Sequence, residues 1–191
     1  HTRAFIKVQD GCNQFCSYCI IPFTRGRVRS RKMENIMEEV RNLAASGYKE
    51  IVLTGIHLSS YGLDFLDESY NKRMEKLTNT CESDEEFVTK NDLLCLIENI
   101  AGIDGVERVR IGSLEPRIIK GNFIKSLSKI EKFCPHFHLS LQSGCDKTLK
   151  SMNRKYTADE FFEGVKLIRK YFDSPAVTTD IIVGFPGETK K

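Results

Sequence analysis

Along residues 4–9 apolar and polar positions alternate and run into the Asp10-Gly11 turn, which predicts a short strand. Ile36, Met37, Val40, Leu43 and Ala44 recur at helical spacing over Glu34–Ser46, and Gly47 closes that helix. Glu50-Ile51-Val52-Leu53-Thr54-Gly55 then reads as a buried strand ending in glycine. Leu93, Leu94, Leu96, Ile97 and Ile100 mark a second helix, and residues 106–113 a third strand. A helix over about 121–132 rests on Phe123, Ile124, Leu127 and Ile130; His136–Gln142 is the fourth strand, ending in Ser143-Gly144. A helix over about 158–172 precedes the fifth strand, residues 176–183. Strands alternating with helices at this length predict right-handed βαβ units, and so an α/β barrel or an open parallel sheet. In such folds ligands gather at the C-terminal strand ends, where Thr54-Gly55-Ile56-His57 falls and Gly55 would let backbone approach a bound nucleoside or amino group.

One stretch breaks the pattern. Ten charged residues from Asp67 to Glu86 crowd residues 64–90 with little apolar periodicity, which predicts an exposed insertion in which Cys81 is incidental. The whole chain of 191 residues is long enough for one domain with a full core, and its 40% hydrophobic and 29% charged content is that of a water-soluble fold. No run nears the roughly 20 apolar residues that span a bilayer. No secretory leader is visible, and seven cysteines in such a chain point to a reducing, cytoplasmic setting. The start at His1 and the end just after Gly184-Phe185-Pro186-Gly187-Glu188 read as those of a piece of something longer.

Candidate chemistry concentrates at the end of the first strand. Cys12, Cys16 and Cys19 are spaced C-x3-C-x2-C. Three thiols in eight residues cannot all pair as disulfides, but they can converge on one centre, and thiolates suit zinc and iron–sulfur clusters. A structural zinc site would need a fourth ligand, for which Cys134 and Cys145 are the nearest spares. Three ligands on a four-iron cluster would leave one iron open to a further molecule. Beyond the cysteines, Arg25, Arg27, Arg29 and Arg31 occupy alternate positions. In an extended conformation they would line one side and suit phosphate contacts; the plain alternative is a solvated basic loop. A net charge of +3 does not decide between them. His57, His136 and His138 read as structural or substrate-lining, and Cys95 as an ordinary helix residue.

The cysteine spacing, with Tyr18 just before the third cysteine, resembles the radical SAM enzymes. That resemblance implies a 4Fe–4S cluster on Cys12, Cys16 and Cys19, whose open iron chelates the amino and carboxylate groups of S-adenosylmethionine. One electron then cleaves the sulfonium to give a 5′-deoxyadenosyl radical. Further segments narrow the likeness: Val8–Asn13, Arg25-Gly26-Arg27, Ser113-Leu114-Glu115-Pro116, Leu141-Gln142-Ser143-Gly144, Met152–Thr157 and Asp180–Glu188 resemble the methylthiotransferases. These attach a methylthio group to tRNA adenosines or to a ribosomal protein. Thr54-Gly55-Ile56-His57-Leu58-Ser59-Ser60-Tyr61-Gly62 is similar to the MtaB-like branch, which acts on N6-threonylcarbamoyladenosine beside the anticodon.

The resemblance covers nearly the whole chain outside 64–90. It implies a partial six-stranded (βα)6 barrel, of which this chain gives about five strands. It implies SAM contacts at Gly55, Ser113, Glu115, Gln142, Arg154 and Asp180, a chemically fitting set for a sulfonium, ribose hydroxyls and an adenine edge. It also implies a tRNA anticodon stem-loop as substrate and an electron donor such as flavodoxin or ferredoxin. A second 4Fe–4S cluster would sit in an N-terminal domain and an RNA-binding domain would follow, both outside these residues. Alternatives are the isopentenyladenosine and ribosomal-protein branches, or a non-catalytic zinc or electron-transfer module.

Overall fold

The computed structural model describes residues 2–65 and 92–189. The chain runs β1 (Arg3–Asp10), α1 (Ile21–Thr24), β2 (Arg29–Ser30), α2 (Met33–Ala45), β3 (Glu50–Gly55), α3 (Asp92–Ala101), β4 (Arg108–Ile111), α4 (Gly121–Leu127), β5 (His136–His138), α5 (Asp146–Ser151), α6 (Ala158–Tyr171) and β6 (Ala176–Thr178). β1, β3 and β4 pair in parallel, and β2 pairs antiparallel on the free edge of β1. Parallel bridges Val109↔Phe133 and Leu114↔Leu139 carry the sheet on to β5, which pairs in parallel with β6. The result is a curled half-barrel with five parallel strands, as the periodicity predicts.

Alternation along each strand decides which side is covered. Ala4, Ile6 and Val8 of β1, Ile51 and Leu53 of β3, Val109 and Ile111 of β4 and Phe137 of β5 join one apolar core with α2, α3, α4 and α6. The opposite face is mostly polar, with Phe5 and Val52 as its apolar members. Glu50, at the N-terminal end of β3, gathers Arg3 at 2.9 Å, Arg110 at 3.0 Å and Arg108 at 3.4 Å. In a barrel that end serves stability rather than chemistry.

Three differences from the sequence reading have local causes. The helix expected over 121–132 stops at Leu127, because the Ser128 hydroxyl bonds back to the Lys125 carbonyl and Ile130 folds into a turn on Leu127. The fourth and fifth strands keep only three ladder residues each. Beyond them Gln142 takes φ 68° and the pairing thins to the single bridge Gln142↔Ile181. The four arginines form no extended stripe: Arg25 is in the helical region as the C-cap of α1, Gly26 turns the chain at φ 76°, and only Arg29 lies in a strand. The insertion expected at 64–90, Cys81 included, lies outside the described residues apart from Asp64 and Phe65. No helix among the described residues is long and apolar enough to cross a membrane.

Candidate cofactor site at the strand ends

The cysteine loop leaves β1 through Gly11, whose φ of 71° suits glycine and little else. A Cβ there would lie 2.0 Å from the Arg27 carbonyl oxygen, and the Cys12 amide donates to the Gly26 carbonyl at 3.1 Å. Gly11→Ala is therefore expected to cost about 3 kcal/mol or more, since neither backbone can give way. Urea denaturation of the cluster-free chain would show it. An unchanged midpoint would mean that the two segments separate freely.

Gln9, 1% exposed, ties the first two strand ends together. Its amide nitrogen donates to the Asp10 and Gly11 carbonyls at 2.8 and 2.7 Å, and its Oε1 accepts from the His57 amide at 2.7 Å. A Cβ at Gly55 would meet Gln9 Oε1 at 3.0 Å and Leu58 Cδ2 at 3.1 Å, so the glycine makes room for its neighbours within the chain.

A second clamp comes from the turn after α5. The Ser17 amide donates to the Met152 carbonyl at 3.1 Å and its hydroxyl to the Ser151 carbonyl at 2.9 Å. Asn153, itself at φ 58°, donates to the Phe15 carbonyl at 2.8 Å. Arg154 Nη1 lies 3.2 Å from Cys16 Sγ, and its guanidinium stacks over the Tyr156 ring at 4.8 Å. The Gln14 amide donates to Cys12 Sγ at 3.4 Å. Burial pushes the Cys12 thiol up in pKa, and the neighbouring Cys16 and Cys19 add to that, while the Gln14 N–H partly offsets it.

The third clamp is electrostatic. Glu115 is 5% exposed, with Arg117 forked onto it at 2.7 and 3.0 Å and His57 Nε2 at 3.5 Å. Burial raises the carboxyl pKa, but His57 and Arg117 outweigh it and hold the group at about 2. Arg117 also donates to Gln14 Oε1 at 3.2 Å, within the cysteine loop. Both carboxylate oxygens of Glu115, expected as a SAM contact, are thus engaged inside the chain, and the residue braces the loop.

The other expected residues follow the strand ends around the half-barrel. Ser113 is exposed just past β4. Gln142 exchanges backbone bonds with Asp180 and Ile182, and exposed Asp180 places its carboxylate 3.3 Å from His138 Nε2. The arginines disperse. Arg25 and Arg29 lie 3.9 and 4.0 Å from Asp10, which Lys7 also reaches at 3.1 Å; Arg27 covers the Phe15 ring; Arg31 pairs with Glu39 at 2.7 Å. Arg25, Arg27 and Arg29 remain exposed. Gln9, Gln14, Arg117, Asn153 and Tyr156 carry the site's geometry without having been singled out. Gln9, Asn153 and Tyr156 fall within segments that carry the family resemblance, and Asn153 is also a residue type that tolerates positive φ.

The donor set fits an iron–sulfur cluster. All three candidate ligands are thiols on one clamped loop, with N–H groups directed at two of the sulfurs. A tetrahedral zinc, with Zn–S near ~2.3 Å, draws its sulfurs onto one point. A four-iron cube takes each thiolate at a separate corner.

Comparison with known proteins agrees with this chemistry. Residues 6–191 match the model of the radical SAM superfamily, whose cofactors are a 4Fe–4S cluster and S-adenosylmethionine. The chain is 42% identical over 189 residues to a tRNA-2-methylthio-N(6)-dimethylallyladenosine synthase of Clostridium botulinum, covering 99% of this chain and 37% of the relative. It is 40% identical over 190 residues to threonylcarbamoyladenosine tRNA methylthiotransferase MtaB of Bacillus subtilis, covering 100% of this chain and 37% of the relative. It thus spans little more than a third of the length of these relatives. Among solved structures, the radical SAM methyltransferase TsrM of Kitasatospora setae has the same fold, with a TM-score of 0.61 at 18% identity over 97% of this chain and 32% of that one. The thiol loop, the strand-end clamps and the match over almost the full length lead to one conclusion: the chain belongs to the radical SAM superfamily.

Proposed function

We propose that this chain is the radical SAM core of a tRNA methylthiotransferase that modifies C2 of N6-threonylcarbamoyladenosine beside the anticodon. The observation that carries the reading is the clamped loop of Cys12, Cys16 and Cys19 in a chain 40–42% identical, end to end, to two enzymes named for tRNA methylthiolation. Relatives of both tRNA branches lie within two points of identity, so overall likeness does not choose between them. Support for the threonylcarbamoyl branch comes from residues 54–62. Ser59 accepts from the Glu115 amide at 3.0 Å, and His57 Nδ1 lies 2.5 Å from Ser60 Oγ. The segment resembling that branch is therefore built into the strand-end network.

In this reading the cluster and S-adenosylmethionine, when bound, supply a one-electron cleavage that generates a 5′-deoxyadenosyl radical. Cys12, Cys16 and Cys19 hold the cluster as thiolates, and the surrounding N–H groups stabilise their charge. The exposed Ser113 hydroxyl and Asp180 carboxylate, with Gln142 between, offer hydrogen-bond partners for ribose and adenine around the mouth of the half-barrel. Gly55 contributes backbone only. Arg25, Arg27 and Arg29 face solvent beside the cysteine loop and suit RNA phosphates, whereas Arg31 is committed to Glu39. The same reading expects a cytoplasmic enzyme, a flavodoxin- or ferredoxin-like donor, and a second, sulfur-handling 4Fe–4S cluster in a preceding domain.

The test uses a protein of the relatives' full length that carries this chain. Given tRNA bearing either modification, it is expected to methylthiolate N6-threonylcarbamoyladenosine and leave isopentenyladenosine untouched, as nucleoside mass spectrometry would show. The reverse preference would move the chain to the dimethylallyladenosine branch. Replacing Arg25, Arg27 and Arg29 together with alanine is expected to weaken tRNA binding and to lower its salt slope by about one for each phosphate no longer bound.

A further inference from the structure

The resemblance places Arg154 among the SAM contacts, yet the structure puts it on a sulfur. Its Nη1 is 3.2 Å from Cys16 Sγ, and its Nε donates to the Tyr156 hydroxyl at 2.9 Å. Tyr156 is 4% exposed, lies under the guanidinium plane, and anchors its own hydroxyl on the Leu141 carbonyl at 2.9 Å and on that of Ser140. The cation is thereby fixed rather than free to swing out. Arg117, the other guanidinium near the loop, is neutralised by Glu115. Arg154 has no carboxylate within ion-pair distance among the described residues, so no ion pair neutralises its charge beside the sulfur.

We propose that Arg154 sets the reduction potential of the cluster through Cys16, raising it by stabilising the more negative, reduced form. The inference rests on the cluster assigned under the proposed function. Hydrogen bonds and charge at ligand sulfurs are among the levers that tune such potentials. Adding an electron increases negative charge on the thiolates, so a nearby cation favours that state. A purely structural role fits less well. The loop is already held to residues 151–153 by hydrogen bonds that do not involve Arg154: Ser17 N to Met152 O, Ser17 Oγ to Ser151 O, and Asn153 Nδ2 to Phe15 O and Gln14 O. Removing the guanidinium leaves that docking in place.

The test is an anaerobic redox titration of the reconstituted chain without SAM, followed by the paramagnetic resonance of the reduced cluster. In R154Q the reduced-to-oxidised ratio at a fixed poise is expected to fall about tenfold, equivalent to a shift of about 59 mV for a one-electron couple. R154K, which keeps the charge, is expected to recover most of that loss. Y156F, which keeps the charge but frees it from its anchor, is expected to fall between them. Iron and sulfide contents equal to wild type would show the loop intact. An R154Q titration that overlays wild type while SAM affinity drops would overturn the proposal and make Arg154 a SAM contact. Should R154Q take up no cluster, Y156F decides: an unchanged midpoint there overturns the proposal equally. A wild-type chain that takes up no cluster would overturn the functional reading beneath it.

Discussion

Cys16→Ala is expected to reduce 5′-deoxyadenosine formation from S-adenosylmethionine to the level of a control without iron. In the proposed function the cluster takes three protein ligands, because one iron must stay open to SAM, so each cysteine of the loop is needed. Cys16 also receives Arg154, so the substitution leaves that cation facing a methyl group. Iron and sulfide content after anaerobic reconstitution should fall with the activity. Cys95 and Cys145 are exposed and stand outside the clamped loop, and alanine at either is expected to leave both readouts unchanged. A wild-type chain that took up zinc tightly and no iron, or a Cys16→Ala chain that still cleaved SAM, would remove the basis of the proposed function.

The fold was legible where burial is one-sided. β1, β3 and β4, with α2, α3 and α6, fall within a few residues of their predicted bounds, because helix packing on one face of the sheet imposes periodicity on Ile6, Ile36, Ile51, Leu96 and Val109. β2, α1 and α5 were not legible. They are two, four and six residues long, too short for any period to accumulate, and interactions elsewhere in the molecule fix them. Arg29–Ser30 becomes a strand only because β1 offers a free edge. The basic run misled for a related reason: alternation in sequence makes a stripe only on extended backbone, and the turn at Gly26 breaks it.

Within the site, the candidate ligands were legible and their supports were not. Three cysteines at fixed spacing mark a thiolate centre, zinc or iron–sulfur, without reference to the rest of the chain. Gln9, Arg117 and Tyr156 act through partners 48, 103 and 15 or 16 positions away, pairings that no local pattern encodes. Glu115 shows the limit well. A carboxylate at a strand end reads as a ligand for a cationic cofactor, and only the position of Arg117 reveals that it also braces the loop.

That occupied carboxylate should dominate the acid stability of the chain. Glu115 is held at about 2 against an ordinary value of 4.5, and it is almost wholly buried, so solvent screening takes little away. Its folded pKa lies below its unfolded one. The stabilisation is therefore complete above the unfolded pKa, near ~4.3, and is lost as pH falls from there towards about 2. The loss over that window is on the order of 3 kcal/mol, and urea denaturation of the cluster-free chain at pH 7 and in steps below pH 5 would measure it. Glu115→Gln should flatten this part of the profile. Arg117→Ala should be worse at neutral pH, costing about 3 kcal/mol or more, because it leaves a buried charge with His57 as its remaining partner. It also removes the bond to Gln14, so iron retention by the cysteine loop should drop along with stability. A profile in which Glu115→Gln tracks wild type through the acid range would mean that the carboxylate contributes nothing to the scaffold. A strand-end acid at this position would then be free of the scaffold and available to face a ligand, as the family resemblance implies.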